Sequence, residues 1–183
     1  MNLWNDIPTR ASGLKTVHVI VEIPKGSWNK FEYDIEKGFF AFSGISSSSL
    51  PCPVDYGMIP QTVGGDDNPL DVLVIMDQPT FPGCIIECRP IAVLRMRDGK
   101  SRDDKILSVP SSNSQFKEMK DLKDIPPYFL DEITHFCQEY GKLEGRTAKV
   151  IDWEDAKNAL RTIERAKDLY KQMLTIKSLF LLD

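Results

Sequence analysis

Residues 66–76 read DDNPLDVLVIM, and this stretch carries the clearest signal for the fold. An acidic, turn-forming segment leads directly into a run of mainly apolar residues from 70 to 76. In an extended strand Asp71 shares one face with Leu73 and Ile75, because successive side chains alternate between the two faces. The pattern predicts a buried strand that has a carboxylate near its start.

Other runs of this kind lie on both sides of the strand. Residues 15–24 alternate in the same way, with Glu22 on the face of His18 and Ile20. Many short strands separated by polar turns are typical of a small barrel or sandwich, predicted here over about residues 15–110. The further strands are predicted at 28–36, 39–43, 84–98 and 105–109.

Two helices are predicted in the last third of the chain. Pro126 and Pro127 suit the start of the first helix, over about 126–141, and Gly141 is expected to be its C-cap. A short strand at 146–151 follows. Asp152 is then expected to cap the second helix, over about 153–174.

The last residues, TIKSLFLLD (175–183), are apolar for the end of a chain. We expect this tail to pack on the body of the protein or on a neighbouring subunit. The chain of 183 residues is expected to fold as one domain, 1–183.

Composition excludes several classes of protein. A net charge of −4 argues against a nucleic-acid surface, which needs clustered Lys and Arg. The four cysteines form no CxxC pair, which favours a reducing, intracellular setting. The N-terminus lacks the features of a secretory leader, and no stretch has the length and hydropathy of a membrane helix. We therefore expect a soluble cytoplasmic protein that begins at its translation start and has no membrane partner, with an organelle matrix as an open alternative.

Carboxylates recur at the ends of apolar rows. Asp98 continues the face of Leu94 and Met96, and Asp103 and Lys105 lead into an apolar strand. If these rows line a barrel, their charged ends meet at its mouth. The plainer alternative is that these acids lie on different surfaces and never meet.

Carboxylates that do meet repel one another. Two of them about 5 Å apart repel by roughly 3 kcal/mol at an effective dielectric constant near 20, so a cluster needs cations to stay ionised. Oxygen ligands favour Mg²⁺, or Mn²⁺, over zinc.

Several segments, in collinear order, resemble those of the soluble family I inorganic pyrophosphatases. The resemblance implies an OB-like closed barrel with two flanking helices, a homo-oligomer, and hydrolysis of inorganic pyrophosphate by in-line attack of water, assisted by metal ions at the barrel mouth. The segments are EIP (22–24), KFEYD (30–34), DYG (55–57), DDNPLD (66–71), PGCIIECRPIAVL (82–94), DDKILSVP (103–110), KDIPP (123–127) and HFCQEYGKLEG (135–145).

The resemblance also implies roles for individual residues. Glu22 corresponds to a carboxylate that holds metal through water, and Glu32 to an acid close by. The groups that correspond to metal-binding aspartates are Asp66, Asp71, Asp98 and Asp103, and those that correspond to contacts with phosphate oxygens or the leaving group are Lys30, Tyr56, Lys105 and Tyr140.

Each of these residues also has a plainer interpretation. Tyr140 has the helical spacing of a core residue, and Tyr56 fits an aromatic residue in a turn. Lys30 and Glu32 fit a solvated strand face.

The chain departs from the family pattern at several positions. Asn68 stands where the family has the Asp that activates the attacking water, and Asp67 next to it is a possible substitute. Gly44 replaces a phosphate-binding Arg, Cys52 an active-site Tyr and Gly141 a Lys, for which the adjacent Lys142 is a possible replacement. An amide cannot accept the proton of a water molecule, so the resemblance implies a less efficient site.

Two functions of different class follow. The first is a Mg²⁺-dependent inorganic pyrophosphatase of reduced efficiency. The second is a catalytically degraded homologue that acts as a structural or interaction subunit, with its apolar C-terminal tail as the contact. A third function, oligonucleotide binding on an OB-like barrel, is disfavoured by the acidic charge.

Overall fold

The computed structural model describes residues 1–10, 15–45, 51–143 and 148–180. The fold is mainly β, with helices at both ends of the chain and before the last strand. The strands are β1 Val17–Ile23, β2 Asn29–Asp34, β3 Phe39–Ile45, β4 Asp55–Ile59, β5 Leu70–Val74, β6 Ile85–Asp98, β7 Ser101–Arg102, β8 Lys105–Pro110 and β9 Ala148–Asp155, and the helices are α1 Leu3–Asp6, α2 Pro127–Leu143 and α3 Ala156–Phe180.

Five strands form a closed ring. The order is β1-β4-β5-β8-β6, and β6 pairs again with β1. Only β5 and β8 run parallel within it. The long strand β6 extends beyond the ring and also pairs with β7 and, from Ala92 onward, with β9. Strands β2 and β3 form a separate two-stranded hairpin. This agrees with the predicted OB-like architecture.

The two faces of the ring strands pack against different helices. On one face Leu94 and Leu107 join a cluster with Ile133 of α2. On the other face Val72 and Val93 join a cluster with Ile163 of α3. Because both faces are covered, β8 is buried at all six positions, and these include its two polar residues, Lys105 and Ser108.

Strand β4 is absent from the prediction because its sequence, DYGMI, contains a glycine that resembles a turn signal. The structure shows a different reason for Gly57. A Cβ atom at this position would lie 2.1 Å from the carbonyl oxygen of Ile20 on β1, so only glycine allows the two strands to pair here.

The predicted helix bounds need correction. Helix α2 continues to Leu143, so Gly141 lies inside it and is not a C-cap. Helix α3 begins at Ala156 and not near 153, and the carboxylate of Asp155, not that of Asp152, accepts the Asn158 amide in its first turn. The segment predicted as a separate tail, 175–183, is helical as far as Phe180, and its last three residues lie outside the described residues.

No helix in the described part of the chain is long and apolar enough to cross a membrane.

Candidate active site

A cavity of about 470 Å³ opens where the charged ends of several strands meet. Glu22 lies near the end of β1 and Asp98 at the end of β6, while Asp71 and Lys105 lie at the starts of β5 and β8. The predicted site residues that line this cavity are Glu22, Lys30, Glu32, Tyr56, Asp66, Asn68, Asp71, Asp98, Asp103 and Lys105.

The other three predicted site residues are Asp67, Tyr140 and Lys142. Asp67, the possible substitute for Asn68, is exposed, has φ +67° and is not part of the cavity lining. Tyr140 and Lys142 belong to α2, but their side chains lie outside the described residues.

Lys105 lies between two of the carboxylates that line the cavity, those of Asp71 and Asp103. Its side chain is only 8% exposed, and Nζ donates to Asp71 Oδ2 at 2.6 Å and to Asp103 Oδ1 at 2.9 Å. Nζ also donates to the hydroxyl of Tyr56 at 3.2 Å. A buried ammonium group thus neutralises two carboxylates, which explains how they tolerate close approach.

Burial and charge shift the pKa values of this group. Burial acts to lower the pKa of Lys105, but the charges of Asp71 and Asp103 outweigh it and raise that pKa above its usual value. Burial, together with the like charges of Asp71 and Asp66, raises the pKa of Asp103 to about 6 in spite of Lys105. Burial also raises the pKa of Glu22 to about 8, with a smaller contribution from Asp71, although the Tyr33 amide donates to its carboxylate.

Asn68 contacts the neighbouring acid of the 66–71 segment. Its Nδ2 donates to Asp66 Oδ2 at 2.9 Å, and its backbone amide approaches Asp66 Oδ1 at 3.3 Å. An aspartate at this position would repel Asp66 instead. The amide therefore removes one negative charge from the cavity and stabilises the carboxylate beside it.

Residues of the β2–β3 hairpin also line the cavity. Lys30 Nζ lies 2.9 Å from a carboxylate oxygen of Glu32. Gly44 pairs with Lys30 across the hairpin, next to an irregularity in register, and has φ +148°. A Cβ atom at Gly44 would meet no atom within 4 Å, but this φ strains any L-residue. An arginine at this position has room in the structure, and the backbone opposes it.

Two titratable residues that the sequence did not single out, Asp34 and Cys137, also line the cavity, and Cys52 lies in the core instead. Cys137 of α2 lines the cavity, and burial raises the pKa of its thiol to about 12, so it is not a nucleophile at neutral pH. Cys137 follows Ile133 by four residues, and residues at this spacing lie on the same face of a helix. The sequence therefore offered a signal that Cys137 faces the interior. Cys52 is buried in the core, where its thiol donates to the carbonyl of Val54 at 3.0 Å.

The cavity suits divalent cations chemically. Seven carboxylates and two ammonium groups line it, which leaves an excess of negative charge. Among the described residues, no three acidic, histidine or cysteine side chains are close enough together to hold a metal ion in this arrangement. Lys105 occupies the position between Asp71 and Asp103, where it supplies the positive charge that the two acids require. A cation would complete the neutralisation of the remaining carboxylates.

We predict that the metal-free protein loses stability as the pH rises from about 4.5 to 8. The folded state holds protons on Glu22 and Asp103 that the unfolded state releases near its ordinary pKa values, 4.5 for Glu. Their contribution to the free energy of unfolding is therefore complete below those ordinary values and is lost as the pH passes about 6 and then about 8. Urea unfolding at several pH values measures this slope.

Glu22→Gln is the matched variant for the pH experiment. It keeps the size of the side chain but cannot ionise, so the slope between pH 6 and 8 should flatten. An equal slope in both proteins would contradict the assignment to Glu22.

Comparison with known proteins gives one consistent result. A family model described as "Inorganic pyrophosphatase" matches residues 19–171. A protein of Methanosarcina mazei named inorganic pyrophosphatase is 44% identical over 154 residues, which are 84% of this chain and 91% of that protein. One of Haloferax volcanii with the same name is 40% identical over 173 residues, covering 94% of this chain and 98% of that protein. The crystal structure of inorganic pyrophosphatase from Thermus thermophilus has a TM-score of 0.88 and 34% identity, covering 93% of this chain and 99% of that one.

Proposed function

Since the chain belongs to the inorganic pyrophosphatase family, we propose that it hydrolyses inorganic pyrophosphate to two phosphates, with Mg²⁺ and at a reduced rate. The observation that carries this proposal is the acidic cavity with Lys105 between Asp71 and Asp103. Such a site offers cationic donors to phosphate oxygens and carboxylates to divalent cations.

Bound Mg²⁺, with Mn²⁺ as the alternative, would neutralise charge on the phosphate oxygens and lower the pKa of the attacking water. The residues proposed to hold it are Asp66, Asp71, Asp98 and Asp103, with Glu22 acting through water. This assignment is supported by their convergence on one cavity.

The chain's own cationic and hydroxyl groups would orient the substrate. Lys30 and Lys105 are proposed to bind phosphate oxygens, with Tyr56 beside Lys105. Tyr140 and Lys142 are proposed to contribute from α2. In the reaction a water oxygen forms a bond to one phosphorus and the bridging P–O bond breaks. The leaving phosphate takes the electron pair and, at the end of the reaction, a proton of the attacking water.

The proton of the water needs an acceptor, and here the chain differs from the family pattern. Asn68 cannot accept it, and its amide donates to Asp66. Loss of a positioned base typically costs roughly 10²–10⁴ in rate. This is the reason for proposing a slow enzyme.

Phosphate release from pyrophosphate tests the proposed function. We expect release with millimolar Mg²⁺ and none with chelator, and Asp71→Asn should abolish it. Mg²⁺ should also raise the melting temperature, because it binds the folded state only. The proposal would be refuted if no phosphate is released and Mg²⁺ leaves the melting temperature unchanged.

Asn68 and Gly44 favour a second candidate function, a catalytically degraded homologue that serves as a structural or interaction subunit. Gly44 lies next to the cavity wall with a backbone that disfavours the arginine of the family pattern. This candidate predicts no phosphate release with any divalent metal. Its cytoplasmic location, like that of the enzyme, stays a prediction.

A homo-oligomer is proposed for either function. The end of α3 exposes Leu174, Ile176 and Leu179, with exposed fractions of 44%, 53% and 63%. Truncation after Met173 should therefore reduce the oligomer size measured by sedimentation, because contact between subunits would bury these side chains. A full chain that sediments as a monomer near 20.8 kDa, together with a truncated chain that is also monomeric, would contradict this prediction.

A further inference from the structure

Asp104 lies between two cavity residues and takes no part in the cavity lining. Side chains alternate along an extended segment, so Asp103 and Lys105 point into the cavity while Asp104 points away from it. Its carboxylate is 9% exposed. A buried charge at this position requires partners, and their identity shows what Asp104 does.

The partners of Asp104 tie its segment to β6. Oδ2 accepts from Arg95 Nη1 at 2.6 Å and from Arg102 Nη2 at 2.9 Å. Oδ1 lies 3.4 Å from the Met96 amide, and the Asp103 amide donates to the Met96 carbonyl at 3.1 Å. The segment that precedes β8 is thus fixed to β6 by the side chain of Asp104 and by the backbone of Asp103.

Arg95 anchors this attachment in the rest of the fold. Its Nη2 donates to Glu154 of β9 at 2.6 Å, and its Nη1 donates to Thr162 of α3 at 2.9 Å. The side chain is 13% exposed. One guanidinium therefore connects β6, β9 and α3 to the segment that carries Asp103 and Lys105.

The geometry is not what stability alone would favour. Arg95 Nε is buried and has no hydrogen-bond partner in the described part of the chain. A buried unpaired N–H costs free energy, and apolar residues often replace buried ion pairs without loss of stability. The charged pair instead fixes direction, because a guanidinium and a carboxylate meet in a restricted geometry.

We infer that Asp104, held by Arg95, is a positioning residue that aims Asp103 and Lys105 into the cavity. The expected effect of this positioning is tighter binding of divalent metal, and that effect rests on the proposed function. Groups that orient metal ligands typically change metal affinity by roughly 10–100-fold when they are replaced, and Asp104 would orient Asp103 through the backbone.

Asp104→Asn and Glu154→Gln form a matched pair of variants. Each keeps its side-chain shape and removes one charged partner of Arg95, but only Asp104→Asn touches the 103–105 segment. Arg102→Gln is a third variant, because Arg102 is the more exposed partner of Asp104, at 47%. Calorimetric titration of Mg²⁺ into each folded variant, below its melting temperature, gives the affinities.

We expect Asp104→Asn to weaken Mg²⁺ binding by roughly 10–100-fold, and Glu154→Gln and Arg102→Gln by less than about threefold. Hydrogen exchange of the metal-free proteins supplies a second measurement. Exchange at the Asp103 amide should rise in Asp104→Asn and stay unchanged in Glu154→Gln.

Equal effects of Asp104→Asn and Glu154→Gln on the Asp103 amide would overturn the inference, as would unchanged Mg²⁺ affinity in Asp104→Asn. The two proposals fail in different ways. A wild-type protein that neither binds Mg²⁺ nor releases phosphate refutes the proposed function. Hydrogen exchange then still decides whether Asp104 positions Asp103.

Discussion

Replacing Lys105 by methionine should lower the free energy of unfolding by about 3–5 kcal/mol in metal-free buffer near pH 8, the usual cost of removing one partner from a buried ion pair. The substitution leaves Asp71 and Asp103 close together without the ammonium that neutralises both. Methionine fills a similar volume, so the loss comes from charge and not from a cavity.

Mg²⁺ should restore part of this stability. A divalent cation supplies the positive charge that Lys105 provided, so the stabilisation by Mg²⁺ should be larger in the variant than in the wild type. Phosphate release should nevertheless fall by at least about tenfold, because a cationic contact to the substrate is lost. Urea unfolding with and without Mg²⁺ measures the first effect, and a phosphate assay measures the second.

Lys37→Met is the matched control. Lys37 also forms an ion pair with an aspartate, Asp34, at 2.8 Å, but its side chain is 66% exposed. Exposed pairs contribute little to stability, so the free energy of unfolding should stay close to that of the wild type. Similar losses in both variants, or no extra stabilisation of Lys105→Met by Mg²⁺, would count against the neutralising role of Lys105.

Asn68→Asp should raise the rate of pyrophosphate hydrolysis. The new carboxylate can accept a proton from the attacking water, and general-base catalysis sets a ceiling of roughly 10²–10⁴ on the gain. We expect less than the full gain, because Gly44 still lacks the arginine of the family pattern. The rate constant at saturating Mg²⁺ and pyrophosphate measures the effect.

The structure adds a cost to this substitution. Asn68→Asp removes the hydrogen bond that the Asn68 amide donates to Asp66 and places two carboxylates side by side. The variant should therefore be less stable than the wild type without metal and should gain more stability from Mg²⁺. If the added charge at residue 68 causes both effects, the variant should show the lower metal-free stability, the larger stabilisation by Mg²⁺ and the faster hydrolysis together.

Asn113→Asp serves as the control for added charge. It lies at a turn outside the cavity lining, where its side-chain oxygen already caps a short 3₁₀ helix. This variant should leave the rate unchanged. If Asn68→Asp folds, binds Mg²⁺ and remains as slow as Asn113→Asp, the degraded homologue becomes the better description of the protein.

Sequence periodicity alone determined most of the strands and the positions of their charged ends. Alternation is a local property of an extended chain, so the faces of Asp71 and Asp98 follow from their neighbours. The family resemblance supplied the expected roles of these residues and the significance of Asn68. Neither source gave distances between side chains.

Only the tertiary structure decided which charged groups meet. Parallel pairing brings β5 and β8 side by side, and this places Lys105 between Asp71 and Asp103. The fold also sets Asp104 against Arg95, a pair nine residues apart whose contact no periodicity indicates. Strand β4 was missed for the same reason, since the need for Gly57 comes from the approach of another strand. Local sequence fixes the direction of a side chain, but its partner depends on long-range pairing of the strands.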